Sequence, residues 1–357
     1  MAKVHVIGAG PAGSISAISA ARRGHTVIMS EEHETSGLPE NCSGLFSKAG
    51  LESLSEFFDY SDFIVNSIRG ADIFLSNEKL SVRTKEPVGF VCDRSAIDLD
   101  LAERAVSEGV KLNYNEKVYD QFHADNIIGA DGPISSVARH FSFKKINRFA
   151  ATLQSLVKYK CEDPHIVQVF LSNKLFPGFF SWIIPHDEYT AEIGAGVTFP
   201  NRATDAWQHF LKLKKIADAP TPKGAIIPLE VRSKTAIRIH NKNVLLVGDA
   251  AGQVKATTGG GVIFGGNCAR LAGMRVTDPL HYEAGWRRRY GADLFMHNEV
   301  RNYLNGLSDN ALEGLCRRLK EFHLDEYLSE HGHMDKPTMM LHPHIIFSSL
   351  RAMAGTR

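Results

Sequence analysis

Cysteine is scarce in this 357-residue chain: five residues, at 42, 92, 161, 268 and 316. The number is odd and successive gaps run from 48 to 107 residues, so neither a disulfide framework nor a zinc or iron–sulfur ligand spacing is on offer. A reducing, cytoplasmic setting is expected, with peripheral contact at the inner face of a membrane left open. Net charge is nearly absent too. The 41 Lys+Arg stand against 40 Asp+Glu, which gives no reason to expect nucleic acid as a partner. No apolar run reaches the ~18 residues that a spanning helix needs. Met1-Ala2-Lys3 leads directly into a strand pattern, so no signal peptide is expected. Internal repeats and low-complexity segments are missing as well. What remains is an ordinary globular composition, 43% hydrophobic and 23% charged. The length suits about two domains or one large α/β unit.

The order of elements carries more information. Val4 to Ile7 read as a buried strand, Gly8 to Gly13 as a turn, Ser14 to Arg23 as a helix closed by Gly24, and Thr26 to Met29 as a second strand followed by Glu31. Residues 62–91 are strand-like, Arg94 to Gly109 helical, and Asn126 to Gly129 a short apolar strand. Strands dominate 146–240, at Val167–Leu171, Phe179–Ile184, Ala191–Val197 and Ala225–Leu229. Asn243 to Val247 return to a buried, parallel-type strand, and helices follow from about 261. The expected architecture is α/β: a Rossmann-like nucleotide-binding core (1–61, 85–145 and 241–280), an inserted, mostly antiparallel β-sheet substrate domain (62–84 and 146–240), and a C-terminal helical region (281–357).

Gly8-Ala9-Gly10-Pro11-Ala12-Gly13 is a G-x-G-x-x-G that follows a strand, opens a helix, and has an acidic residue about 20 positions on. In that context Gly8 makes the tight turn, Gly10 lets a pyrophosphate approach, Gly13 lets helix and strand pack, and Glu31 faces a ribose diol. Two later segments point to FAD. Val247-Gly248-Asp249-Ala250-Ala251-Gly252 ends a strand, and Thr258-Gly259-Gly260-Gly261-Val262 opens a helix, which suits a ribityl chain, an inner phosphate and a flavin edge. Between the first motif and these lies a second Asp-Gly turn, Gly129 to Arg139, containing Asp131. No second G-x-G-x-x-G occurs, so the reductant must visit the same site or be a partner protein; NAD(P)H and a ferredoxin-like donor both stay open.

The first glycine motif, the Asp131-Gly132 segment and the Gly248-Asp249 segment together resemble the FAD-dependent family of aromatic hydroxylases and geranylgeranyl reductases. Cys42-Ser43-Gly44-Leu45-Phe46-Ser47 resembles the cysteine-containing flavin loop of archaeal geranylgeranyl reductases. Pro177-Gly178-Phe179-Phe180-Ser181-Trp182-Ile183-Ile184-Pro185 is similar to their P-x-x-Y-x-W-x-F-P substrate motif, with Phe180 for Tyr and Ile184 for Phe. Ala256 stands where the family often has Pro. The resemblance, with the motifs above, implies cofactor contacts at Gly8, Gly10, Ala12, Gly13, Glu31, Cys42, Ser43, Leu45, Arg94, Val118, Asp131, Asp249, Gly252, Gly260, Gly261 and Val262. It implies substrate contacts at Phe180, Trp182 and Ile184, and catalytic roles for Cys42 and Trp182.

On a strand, Phe180, Trp182 and Ile184 share one face, and Phe179, Ser181 and Ile183 the other. For Trp182, core packing and the wall of a hydrocarbon slot both stay open; so do simple packing and a chemical role for Cys42. His331, His333, His342 and His344 lack carboxylate or cysteine partners in a recognisable spacing, so no metal is expected. Arg287-Arg288-Arg289 reads as a solvated helix face ahead of a lipid-phosphate contact. The resemblance implies a reductase that saturates isolated C=C bonds in geranylgeranyl lipid precursors. A flavin monooxygenase on an apolar substrate and a flavoprotein passing electrons to membrane quinone are the alternatives.

Overall fold

The computed structural model describes residues 1–40 and 42–340. The chain opens with β1 (Lys3–Ile7), α1 (Pro11–Ala21) and β2 (Thr26–Ser30), then β3 (Leu45–Ser47) and a short α2 (Lys48–Glu52). Four strands follow, β4 (Ile64–Ile68), β5 (Gly70–Leu75), β6 (Glu78–Arg83) and β7 (Gly89–Cys92), and then α3 (Arg94–Ser107), β8 (Lys111–Asn113), β9 (Asn126–Gly129) and α4 (Ser136–His140). The middle of the chain holds β10 (Phe149–Lys158), β11 (Ile166–Leu171), β12 (Ser181–Pro185), β13 (Thr190–Thr198), α5 (Ala203–Lys214) and β14 (Lys223–Pro228). The last strands are β15 (Ala236–Ile239) and β16 (Lys242–Leu246). The helices α6 (Val262–Met274), α7 (Pro279–Trp286), α8 (Ala292–Asn305), α9 (Asp309–Glu321) and α10 (Leu324–His331) complete the described chain.

Among the described residues, three sheets result. The first, in the order β15-β16-β9-β1-β2-β8, is parallel except where β15 turns back on β16. Its central strands are near-continuous runs of Val and Ile because helices cover the sheet. Buried residues of α1 and α6 join those strands in one core with Ile15, Ile18, Met29, Phe264 and Trp286. The helices cross closely: a Cβ at Gly273 would meet Ser16 O at 2.3 Å. The second sheet, β14-β10-β13-β12-β11-β5-β6, is antiparallel apart from the β11–β5 pair. The third is the small antiparallel set β3-β7-β4. Residues 62–84 therefore divide, β4 entering the small sheet and β5 and β6 extending the large one.

Two local expectations need correction. The strand-dominated stretch contains a helix, α5, whose Ala206, Trp207 and Phe210 are buried against the large sheet with Ile193 and Phe170. The aromatic strand begins at Ser181 and not at Phe179. Among the described residues, no helix is long and apolar enough to cross a membrane.

Candidate flavin and substrate site

The turn after β1 is held from both sides. Gly8 N–H donates to Ser30 O at 2.8 Å with φ at +99°, a left-handed conformation that favours glycine. Ala9 N–H donates to Glu31 Oε2 at 2.7 Å. The other carboxylate oxygen takes His33 N–H at 3.1 Å and the His33 ring at 2.6 Å. Glu31 therefore shapes the turn as well as lining the cavity; Oε2, which accepts one hydrogen bond, keeps a further lone pair for a diol. Helix α1 starts at Gly10 with no side-chain cap, and a Cβ built on Gly10 would meet nothing within 4 Å. On Gly13 it would lie 1.9 Å from Gly8 O. One glycine faces open space and the other is jammed against the strand.

A second uncapped start lies across the same cavity. Helix α6 begins at Gly261 without a side-chain cap, and Gly259, Gly260, Gly261 and Val262 line the space in front of it. Two helix N-termini with free N–H donors suit an anionic ligand. The Asp249 carboxyl packs against Gly261, where a Cβ would lie 2.8 Å from Oδ1. Burial raises this carboxyl to about 6, with Arg94 pulling it down. Arg94 is clamped by Asp98 through two hydrogen bonds, of 2.7 and 2.9 Å, and also bonds to the Cys42 side chain. Burial pushes the Cys42 thiol up, and Arg94 opposes that. These donors, the uncapped helix starts and the open cradle at Gly10 fit the diphosphate and ring system of FAD.

Of the residues expected to hold the cofactor, Gly8, Gly10, Ala12, Glu31, Cys42, Ser43, Leu45, Arg94, Val118, Asp131, Asp249, Gly260, Gly261 and Val262 all line one continuous cavity of about 1420 Å³. Gly13 and Gly252 do not. Gly13 serves the close helix–strand contact, and Gly252 makes a turn where a Cβ would lie 2.1 Å from Glu230 O. Asp131 lines the cavity with its carboxylate already engaged, accepting from Ser135 Oγ, Ser136 Oγ and Val137 N–H at 2.7 to 3.0 Å.

Phe180, Trp182 and Ile184 line the same cavity. Ile183 points away, into the core beneath α5. Phe179 departs from the simple alternation: it precedes the strand, stacks on Phe180 with centroids 4.3 Å apart, and also faces the cavity. Beyond this wall the cavity continues into an apolar gallery between β5–β6 and the C-terminal helices, lined by Leu75, Leu80, Leu304, Leu315, Leu319 and Leu328. Gly332, His333 and Met334 close one side. His342 and His344 lie outside the described residues. Among the described residues no cluster of His, Cys, Asp and Glu is arranged to hold a metal ion.

Sequence reading missed three polar groups here. Lys255 lines the cavity and pairs at 2.6 Å with the buried Asp335, which also accepts from Ser47. Arg301, also lining the cavity, is 2% exposed and donates to Ala256 O at 3.0 Å, to Phe179 O at 3.2 Å and to Thr257 O. It ties the loop before α6 to the residues that lead into the aromatic strand, and burial lowers its pKa to about 10. Glu192, on β13, is buried behind Trp182. An isolated Glu in the otherwise apolar and small-residue run Ala191–Val197 was the available signal.

A family model described as an FAD binding domain matches residues 91–269. A digeranylgeranylglycerophospholipid reductase from Methanosarcina acetivorans is 29% identical over 367 residues, covering 89% of this chain and 88% of its own. An uncharacterized protein from Methanocaldococcus jannaschii is 26% identical over 370 residues, covering 93% and 92%. Among solved structures, a geranylgeranyl bacteriochlorophyll reductase-like protein from Thermoplasma acidophilum superposes with a TM-score of 0.80 at 22% identity, over 99% of this chain and 96% of that one. With the cradle, the matched family and the shared fold in agreement, this chain belongs to the FAD-binding domain family and is an FAD-dependent oxidoreductase with the fold of the geranylgeranyl reductase-like flavoproteins.

Proposed function

We propose that the chain is a reductase that saturates isolated C=C bonds of geranylgeranyl chains in membrane-lipid precursors. The observation that carries this reading is continuity: the cavity that offers the FAD cradle runs without a break into a gallery walled by aromatic and leucine side chains. A long hydrocarbon can lie there with one end beside the flavin. The relatives named for geranylgeranyl phospholipid reduction support the substrate class.

Saturating an isolated alkene adds a hydride to one carbon and a proton to the other. When bound, reduced FAD supplies the hydride. Positive charge in the transition state falls on the more substituted carbon, which the face of the cavity-lining Trp182 ring would stabilise. Phe179, Phe180 and Ile184 keep water from that carbon. The Cys42 thiol, raised by burial, stays protonated near neutral pH and holds a proton at Sγ, while Asp98 fixes the Arg94 that hydrogen-bonds to it. On this reading residues 1–61, 85–145 and 241–280 carry the cofactor, 62–84 and 146–240 carry the chain, and the helices after 280 close the far end.

The test is anaerobic. The flavin is reduced chemically, a geranylgeranyl lipid is added, and product masses are followed. Gains in steps of two hydrogens, matched by flavin reoxidation, are expected. Reoxidation only on admitting O2, with oxygenated product, would replace this reading by a monooxygenase.

A further inference from the structure

The aromatic wall is backed by a polar row. Trp182 on β12 stands directly opposite Gly194 on β13, and Gly194 opposite Gln154 on β10. A Cβ on Gly194 would lie 2.1 Å from Cζ2 and 2.3 Å from Cε2 of the indole. The ring therefore rests on bare backbone, which leaves its opposite face for the cavity that Trp182 lines. Glu192 lies two residues back along β13 and so on the same face. Its Oε1 accepts from Trp182 Nε1 at 3.4 Å and its Oε2 from Gln154 Nε2 at 3.0 Å. Glycine gives the ring a bed and the carboxyl group fixes its rotation. Trp182 and Gln154 line the cavity and Glu192 does not, so Glu192 acts on the cavity through them.

A neutral acceptor such as glutamine would be enough to hold the ring. A buried carboxyl group is the costlier choice, because water no longer solvates its charge. What it adds is negative charge on the N–H edge of the indole. That charge increases electron density on the ring and strengthens its attraction for a cation over its face. Burial raises the group to about 8, opposed by the Trp182 hydrogen bond. The charged groups facing it are Glu40, which raises it further, and Lys223, which lowers it; these two pair with each other at 3.5 Å. Cys42 is the other titratable neighbour, and its thiol is itself pushed up by burial.

We propose that Glu192 is a positioning residue that orients the Trp182 indole and, as the carboxylate, makes its cavity-facing side a site for positive charge within a bound hydrocarbon chain. The proposal rests on the prenyl-chain reading above.

The test uses the FAD-loaded protein and two probes, a prenyl chain bearing a quaternary ammonium group and its uncharged tert-butyl counterpart. Their dissociation constants are read from the flavin absorbance between about pH 6 and about pH 9. In the unmodified protein the ammonium probe should be preferred about tenfold at the alkaline end. That preference should shrink as the carboxyl takes up its proton. Glu192→Gln should bind the uncharged probe normally with a lower, pH-independent preference, and Glu192→Ala should weaken both probes. FAD content reports whether each variant folds, and the pH dependence of the unmodified protein decides the matter if neither does. A preference indifferent to pH, or unchanged in Glu192→Gln, overturns this proposal alone. Failure of the unmodified protein to bind either probe overturns the prenyl-chain reading and this proposal with it.

Discussion

Two glycines of the first turn, three residues apart, should fail in opposite ways. Gly10 is extended, with φ at −72° and ψ at −178°, so alanine adopts its backbone without strain, and the added methyl touches no protein atom within 4 Å. At a helix N-cap the exchange of glycine for alanine costs about 1 kcal/mol or less. The methyl does enter the space in front of the free N–H groups of α1. Displacing a phosphate from two charge-assisted hydrogen bonds forfeits about 3 kcal/mol, or near a hundredfold in FAD affinity. Gly13→Ala instead drives a methyl to 1.9 Å from Gly8 O and 2.9 Å from Gly8 C, both backbone atoms that cannot rotate away. Helix α1 must lift off β1, at an overpacking cost of about 1–3 kcal/mol or more. The assay is a pair of measurements on FAD-stripped protein, thermal unfolding and a flavin-fluorescence titration. Gly10→Ala should melt close to the unmodified protein and bind FAD poorly, whereas Gly13→Ala should melt lower before any FAD is added. Unimpaired FAD binding by Gly10→Ala would refute the placement of the diphosphate at α1.

Trp182→Ala should keep its FAD and lose at least about tenfold in prenyl-chain turnover, because the ring lines the cavity beyond the cofactor cradle; normal turnover would return it to ordinary core packing. Cys42→Ser and Cys42→Ala should both accept electrons yet lose about 10²–10⁴-fold in alkene reduction if the thiol gives the proton. A small loss matched by weaker substrate binding would leave Cys42 a packing residue. Burial raises the Glu192 carboxyl from 4.5 to about 8, so between those values the folded protein keeps a proton that the unfolded chain has released. Its stabilisation is complete below about 4.5 and is lost as pH rises through about 8. Thermal unfolding between about pH 6 and about pH 9 should therefore fall more steeply for the unmodified protein than for Glu192→Gln, by up to roughly 1.4 kcal/mol per pH unit; parallel curves would show that the carboxyl is not buried as described.

The parts that could be read from sequence are those where local geometry and chemistry coincide. The Gly8–Gly13 turn, Glu31 at the end of β2, and the Gly248–Asp249 and Gly259–Gly261 segments have spacings set by short-range steric needs, and the fold brings them to one cavity. Helix α5 was also present in the pattern, with Ala203, Ala206, Trp207, Phe210 and Leu211 at helical spacing, but it was hidden by the strands on either side. Phe179 precedes the strand, so the alternation of the aromatic segment does not extend to it. Arg301 and Lys255 were not legible, and Glu192 only as an isolated charge in an apolar run. Their partners are backbone carbonyls and side chains 10 to 122 residues away, and no local pattern encodes such meetings.

The Lys255–Asp335 pair joins two stretches of chain with different duties. One leads into the glycines before α6, and the other lies past the last long helix, where Asp335 also takes the Ser47 hydroxyl from β3. Both charged side chains are under a tenth exposed, so separating them would strand a charge away from water. Seating of the segment after α10 and ordering of the loop before α6 therefore share this buried pair. A ligand that steadies that loop through Lys255 would by reciprocity favour the seated far segment, and one that displaced the far segment through Asp335 would weaken FAD by the same factor. The two ends of the cavity are thus linked by a buried ion pair, beside the Ser47–Asp335 and Thr338–Asp293 hydrogen bonds that also hold the far segment.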